Sequence, residues 1–275
     1  MGMLSSFETL PQNLTRNARK VWRDLRHRVI GVPWMNVGAQ DRFLFSYPRS
    51  GNTWLRHIVR HLTTGSQVDD HHELEMSAPT IDTLEFPDRL AQMSEGMRFF
   101  KSHLPYAPYF LDGKVIYVVR DGRDVLISYF DYYRHIKNYD GSLDDFIEKA
   151  TKGWMRYGTW HENVGRWIMH RDHPNMLLFK FEDMRVDGFA TARQVADFAG
   201  IKASDQQIEQ ALEASSVEKV HSTMRSWNSA SGTGFSGGAS QGGRKTWRDR
   251  LTSKQNKAFV DRAGEVLEQL GYPME

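Results

Sequence analysis

The 275-residue chain contains no cysteine. A disulfide framework, a zinc site with thiolate ligands and a cysteine nucleophile are therefore excluded, and no structural need for an oxidising compartment remains. Long apolar runs are missing as well: nothing approaches the roughly 18 residues that a bilayer-spanning helix requires. Residues 1–10, MGMLSSFETL, lack the basic stretch followed by an apolar stretch that marks a secretory signal. A soluble, cytoplasmic protein is the expectation. The net charge, +2 with histidine neutral, is too small to imply nucleic-acid binding. Eleven histidines are present, but no His-Glu-x-x-His spacing occurs, so a metal site is not indicated. Internal repeats are absent. What remains is an ordinary globular composition, 40% hydrophobic and 25% charged, long enough for one large α/β domain or two small ones.

Leu14, Ala18, Val21, Trp22, Leu25 and Val29 recur at helical spacing, with Arg16, Arg19, Lys20, Arg23 and Arg26 between them. Residues 1–38 thus read as a basic amphipathic segment, and residues 39–275 as the main domain. A solvated basic face is the plain reading of that helix. Peripheral contact with an anionic membrane surface is the sharper one, and it would suit a lipid-like acceptor.

Within the main domain, Arg42 to Tyr47 reads as a buried strand ending in a Pro48/Gly51 turn, followed by a helix with Trp54, Leu55, Ile58, Val59 and Leu62 inward. Residues 66–95 read as loop and short helices. Further strands are predicted at Arg98–Lys101, Lys114–Val119 and Asn175–Phe181, the second of these apolar enough for a central parallel strand. A helix is predicted around 187–199, more helix over 142–170 and 204–225, and a last one ending before Gly271. Alternating strands and helices imply a single α/β domain with a parallel sheet covered by helices on both faces. Residues 228–243 are nearly all Gly, Ser and Ala, too poor in apolar side chains to build core. They read equally as a surface loop or as a lid over a ligand.

The octapeptide Tyr47-Pro48-Arg49-Ser50-Gly51-Asn52-Thr53-Trp54 sits at the strand-to-helix turn. Unpaired amides at a helix start point outward, and the helix dipole favours an anion there. Ser50, Asn52 and Thr53 add side-chain donors, Arg49 a cationic fork suited to phosphate or sulfonate, and Trp54 an aromatic face for a base. A Walker A loop needs Gly-x-x-x-x-Gly-Lys-Ser/Thr, and this is not one, so an ordinary ATPase or GTPase loop is disfavoured.

This octapeptide resembles the 5′-phosphosulfate-binding loop of the sulfotransferases that use 3′-phosphoadenosine-5′-phosphosulfate (PAPS), usually Tyr-Pro-Lys-Ser-Gly-Thr-Thr-Trp. Three more segments are similar in the same order. Lys101-Ser102-His103-Leu104-Pro105 resembles the family's Lys-Thr-His-Leu-Pro. Ile116 to Val125, with Ser128 and Tyr129, resembles its 3′-phosphate-binding strand and helix. Lys180-Phe181-Glu182-Asp183-Met184 resembles Lys-Tyr-Glu-Asp-Met. The resemblance implies a P-loop-like fold and in-line transfer of a sulfonate from PAPS to an acceptor hydroxyl, leaving PAP, with no metal needed. It implies that His103 is the general base, a task suited to an imidazole, and that Lys101 neutralises charge beside it. Arg49 stands where the family has lysine, and a guanidinium that is never neutral can stabilise charge but not donate its proton. Arg120 and Ser128 would hold the 3′-phosphate and Phe181 would touch adenine. Arg123 is expected to face solvent, and Asp121 and Asp124 to cap or solvate the helix rather than act in catalysis.

Two departures stand out. Phe181 lacks the family tyrosine's hydroxyl. Near the C-terminus the family has Arg-Lys-Gly-x-x-Gly-Asp-Trp-Lys; anchored on Trp247, this chain offers Ser240 and Gln241 for the basic pair and keeps only Gly242. Arg244 and Lys245, a few residues later, are the substitutes for that grip. Competing readings are a P-loop-type kinase or other ATP-binding protein, which the loop and Arg120/Ser128 disfavour, and a membrane-associated protein with a decayed nucleotide site, which intact His103 and Lys101 disfavour. Trp154, Tyr157, Trp160 and Trp167 recur at helical intervals and read as core, or as the wall of an apolar or sugar-binding acceptor pocket. No motif identifies the acceptor.

Overall fold

The computed structural model describes residues 37–82, 93, 96–220, 222–223 and 246–275. The N-terminal basic helix and the Gly/Ser-rich segment 228–243, with Gly242, Arg244 and Lys245 beside or within it, lie outside the described residues.

Four strands form one parallel sheet in the order β2-β1-β3-β4: β1 (Asp41–Ser46), β2 (Arg98–Ser102), β3 (Lys114–Val119) and β4 (Met176–Lys180). Helix α1 (Asn52–Thr64) and the short α2 (His71–Ser77) lie between β1 and β2. One 3₁₀ turn, Pro108–Asp112, precedes β3. Three helices carry the chain from β3 to β4: α3 (Gly122–Ile136), α4 (Leu143–Thr151) and α5 (Trp160–Ile168). After β4 come α6 (Phe181–Val186), α7 (Gly188–Ala199), α8 (Asp205–Ala214), α9 (Trp247–Arg250) and α10 (Ser253–Gln269).

Alternation along the strands divides the core into two layers. Phe43, Phe45 and Tyr117 face one side, where Phe110 and Trp167 pack edge-on against Phe45 at ring separations of 4.8 and 5.2 Å. Leu44, Ile116 and Val118 face the other and meet Leu55 and Val59 of α1 and Val195 and Ala199 of α7. Both faces are apolar because both are covered, which is why β3 reads as an unbroken apolar run.

Since the strands are parallel, their C-terminal ends share one edge. The register pairs Phe45 with Ser102, Ser46 with Val118 and Val119 with Lys180. Residues 47–51, 103, 120 and 181 therefore all leave the sheet at the same rim. The sheet order also reverses around β1, since β2 lies on one side of it and β3 on the other; that is where open α/β sheets hold ligands.

Several predicted elements need correction. The fourth strand stops at Lys180, and Phe181 opens α6 rather than closing β4. Helices do dominate residues 142–170, but in two pieces separated by a turn in which Gly153 and Gly158 take φ of 84° and 79°. Trp160 and Trp167 are core residues of α5, whereas Trp154 and Tyr157 sit in the turn and do not share a helical face.

Candidate active site

The strand, turn and helix expected around Tyr47–Trp54 are present. Helix α1 begins at Asn52 with Gly51 at its N-cap, φ 98°, with no side-chain cap and no acidic residue in the first turn. Its first amides are thus left for an external anion. Glycine is required at 51 twice over: its φ suits no L side chain, and a Cβ there would fall 2.9 Å from Cε2 of Phe181 and closer still to Cδ2. Arg49 also adopts a left-handed conformation, φ 70°, a strain of the kind that collects at functional sites.

Four elements converge on this loop. The Arg49 Nε donates to Ser128 Oγ on α3 at 3.0 Å, and its guanidinium lies over the ring of Tyr132. Arg120, just past β3, donates from Nη1 to the Arg49 carbonyl at 3.1 Å and stacks on Phe181 with 4.8 Å to the ring centre. Burial, and then the neighbouring Arg120 charge, pull the Arg49 guanidinium below its usual range. Two like charges held together in a partly desolvated place call for an anion between them. Ser50 Oγ and Arg120 Nε are buried without a hydrogen-bond partner. Such orphaned donors fit a ligand with several acidic oxygens, as PAPS has.

Not every loop side chain turns toward the ligand side. Asn52 is buried, and its Nδ2 donates to the Leu44 carbonyl at 2.8 Å, so its donor ties the loop to β1 instead of serving an anion. Trp54 is half-buried and packs against the apolar side chains shared by α1, α7 and α8. Arg123, expected in solvent, is wholly buried. It chelates Asp121 through Nε and Nη2 at 2.9 and 2.7 Å, donates to the Pro273 carbonyl at 2.6 Å and lies 3.7 Å over the Trp247 ring. A charge this desolvated persists only when fully paired. Asp121 caps α3 as expected, accepting from Arg123 N–H, while Asp124 accepts from Trp247 N–H.

The second half of the site lies past β2. The His103 Nδ1 stands 2.7 Å from the Ser46 carbonyl. A carbonyl only accepts, so Nδ1 carries the hydrogen and Nε2 keeps its lone pair. Burial, reinforced by Lys101, lowers the His103 pKa to about 3, with Asp82 and the Ser46 bond opposing. The ring is therefore neutral at neutral pH, the state that a base requires. Lys101 lies two residues earlier; burial lowers its ammonium, Arg56 and Arg156 add to that, and Asp82 and Glu75 resist it. Glu75 is itself held by Arg56 at 2.8 Å and by the backbone and hydroxyl of Thr80.

Sequence reasoning missed Asp82, Arg156 and the Arg56–Glu75 pair, and it singled out Tyr157 only as one of a helical aromatic series; all of them bound the His103 side. Only the glycines at 153 and 158 hinted that the aromatic series around Tyr157 is broken. Among the described residues, no group of three or more His, Asp or Glu side chains is placed to hold a metal ion, and no helix is long and apolar enough to cross a membrane.

The fold and the rim define an α/β protein with a phosphate-type anion loop at the carboxyl edge of a parallel sheet. Comparison with known proteins gives the family. The sulfotransferase domain model matches residues 39–271. Sulfotransferase 2A2 of Rattus norvegicus is 30% identical over 237 residues, 81% of this chain and 82% of the relative. Sulfotransferase 2A6 of the same organism is 31% identical over 202 residues, 70% and 71% of the two chains. In structure, retinol dehydratase in complex with androsterone and inactive cofactor PAP superposes with a TM-score of 0.70 at 23% identity, covering 90% of this chain and 85% of that one. Mouse sulfotransferase SULT7A1 complexed with PAP gives 0.63 at 24% identity, covering 84% of each. These structural likenesses speak for the fold. The chain belongs to the PAPS-dependent sulfotransferase family and is an enzyme of that class.

Proposed function

We propose that the enzyme transfers the sulfonate of PAPS to the hydroxyl of a small apolar alcohol, with His103 as general base. The observation that carries this reading is the pairing, on one sheet edge, of two arginines and orphaned donors with a neutral imidazole whose Nε2 is free of the Ser46 bond. PAPS, when bound, supplies a sulfonate already activated by its link to phosphate.

The residues divide the work. Arg49, Ser50 and the first amides of α1, from Gly51 through Thr53, hold the end of the nucleotide that carries the leaving phosphate. Arg49 meets the charge growing on the departing oxygen, and Ser128, already bonded to its Nε, fixes its direction. Arg120 and Ser128 bind the 3′-phosphate, and Phe181, stacked under Arg120, offers an apolar face to adenine. His103 takes the proton of the acceptor hydroxyl at Nε2, and Lys101 supplies positive charge beside it. Positioning and charge suffice because the transferred group is already reactive.

An apolar acceptor is supported by the aromatic side chains nearby. Tyr157 meets the His103 ring edge-on at 5.4 Å, and Tyr47 lies against Tyr129 at 6.1 Å. Retinol dehydratase, similar in fold, has been crystallised with androsterone and with retinol; alcohols of that kind are the acceptors to try first.

The test is thermal stabilisation by PAP against ADP and ATP. A ligand at about 100 times its Kd adds roughly 2.7 kcal/mol, which moves the Tm of a chain this size by several degrees. PAP alone should produce that shift. Equal stabilisation by ATP would overturn the assignment of Arg120 and Ser128 to a 3′-phosphate.

A further inference from the structure

Asp82 is a buried carboxylate that the proposed reaction does not use. Its backbone is placed by a short parallel bridge between Thr80 and Lys101, in which Lys101 N–H donates to Pro79 O at 2.9 Å and Ile81 N–H to Lys101 O at 3.0 Å. This brings the Asp82 side chain, 1% exposed, alongside the end of β2. One carboxylate oxygen accepts from Ser102 Oγ at 3.3 Å, and the same Oγ accepts from Leu104 N–H at 3.0 Å. The residues on either side of His103 are therefore tied to one acid. The other oxygen accepts the Tyr157 hydroxyl and pairs with Arg156 Nη2 at 3.2 Å. Tyr157 in turn packs edge-on against the imidazole.

A buried ion pair with Arg156 alone would be a costly and unremarkable feature of a core. It would need neither the bond to Ser102 nor the bond to Tyr157. An ionised carboxyl, with about four acceptor sites on its two oxygens, can accept from a serine, a tyrosine and an arginine together, and the Lys101 and Arg156 charges and the Tyr157 bond favour that form of Asp82 against burial. All three donors act on the surroundings of one ring.

We propose that Asp82 is the positioning residue of His103: it fixes the Ser102–Leu104 segment on one side of the imidazole and the Tyr157 ring on the other. This rests on His103 being the base. The hold keeps Nδ1 on the Ser46 carbonyl and Nε2 aimed at the acceptor. The negative charge of Asp82 also favours the imidazolium that forms when His103 takes the proton, against burial and the Lys101 charge.

The experiment is an imidazole ¹⁵N–¹H spectrum of the full-length protein, the His103 signal being assigned by its loss in His103→Gln. The wild type should show a protected Nδ1–H. In Asp82→Asn, exchange of that proton should accelerate roughly tenfold or more, while stabilisation by PAP is kept. With androsterone, retinol and 4-nitrophenol as probe acceptors, kcat should fall roughly 10- to 100-fold, the range expected for ångström-scale misplacement, and KM for PAPS should stay within about twofold. If Asp82→Asn does not fold, Ser102→Ala and Tyr157→Phe each remove one arm and should each speed the exchange about threefold. An unchanged His103 signal in Asp82→Asn, or in both single-arm variants, overturns the proposal. Failure of PAP to stabilise the wild type would instead strike the reading of the nucleotide site, and the spectrum would still decide the role of Asp82.

Discussion

Gly51→Ala tests the most tightly determined point of the anion loop. Two costs are readable from the geometry. Forcing an alanine into left-handed backbone at φ 98° costs about 1–2 kcal/mol. Its Cβ would also meet the Phe181 ring at under 3 Å, and overpacking of that kind costs typically 1–3 kcal/mol. The total, about 2–5 kcal/mol, corresponds to a Tm lowered by roughly 5–15 °C in a chain of this size. The two parts can be separated. In a Phe181→Ala background the ring is gone, so the same Gly51→Ala change should cost only the backbone share, about 1–2 kcal/mol. Denaturant melts of the four proteins close the cycle, and titration with PAP should show weaker binding in Gly51→Ala, because a displaced Phe181 carries Arg120 with it. A Gly51→Ala cost under about 1 kcal/mol, or one equal in both backgrounds, would refute the close packing of loop and ring.

Other predictions follow from the buried charges. Arg123→Met should lower stability by about 3–5 kcal/mol by stranding Asp121, and Arg123→Lys should restore little, since lysine cannot chelate a carboxylate through two nitrogens; thermal melts decide. Acid should destabilise the fold in two windows. His57 and His103 have folded pKa values near 4 and 3, below the ordinary 6.5, because they are buried. The unfolded chain then binds their protons first, and stability falls as pH drops below 6.5, at about 1.4 kcal/mol per pH unit for each histidine. Glu75, held near 2 by Arg56 and its neighbours against a desolvation that would raise it, contributes stability present above about 4.5 and lost as pH falls toward 2. His57→Leu should flatten the upper window and leave the lower; an unchanged pH profile would contradict the burial assigned to His57. Arg49→Ala should reduce kcat by about 100-fold or more, as loss of one charge-stabilising donor does, with Arg49→Lys recovering most of it in a PAPS turnover assay. Charge reversal of Arg244 and Lys245 together should weaken PAP binding by isothermal titration; unchanged affinity would exclude them as the substitute grip.

The strand-end motifs were legible because each combines a short apolar run with a turn or a charged residue, and a parallel sheet gathers all its carboxyl ends at one rim. Arg49, Ser50, His103, Arg120 and Phe181 follow strand ends and so meet at that rim, and Ser128 reaches it from α3 through Arg49; apolar runs place the strands, whereas the roles expected of these residues came from the motif resemblance. What escaped depends on partners distant in the chain. Arg123 reads as solvent-facing because a charge in a first helical turn usually is, and nothing local reveals the Pro273 carbonyl 150 residues away. Asp82 looks like an ordinary loop acid until Ser102 and Tyr157 close around it. Phe181 extends the β4 run in composition, yet its backbone turns into α6 after Lys180. Asn52 resembles a ligand donor by spacing, but the turn points its amide back to Leu44.

The chelated Arg123 has a consequence for the order in which the molecule is assembled. Its guanidinium emerges early in synthesis, whereas Pro273 comes 150 residues later. Until the segment beyond α10 arrives, the start of α3 must stay hydrated, because a half-paired guanidinium cannot be buried. The helix that carries Ser128, and the strand end that carries Arg120, therefore reach their final setting late, through a contact of high sequence separation. The faces of β3 are covered by elements that precede Pro273 in the chain, so what waits on the segment beyond α10 is the start of α3 and not the sheet core.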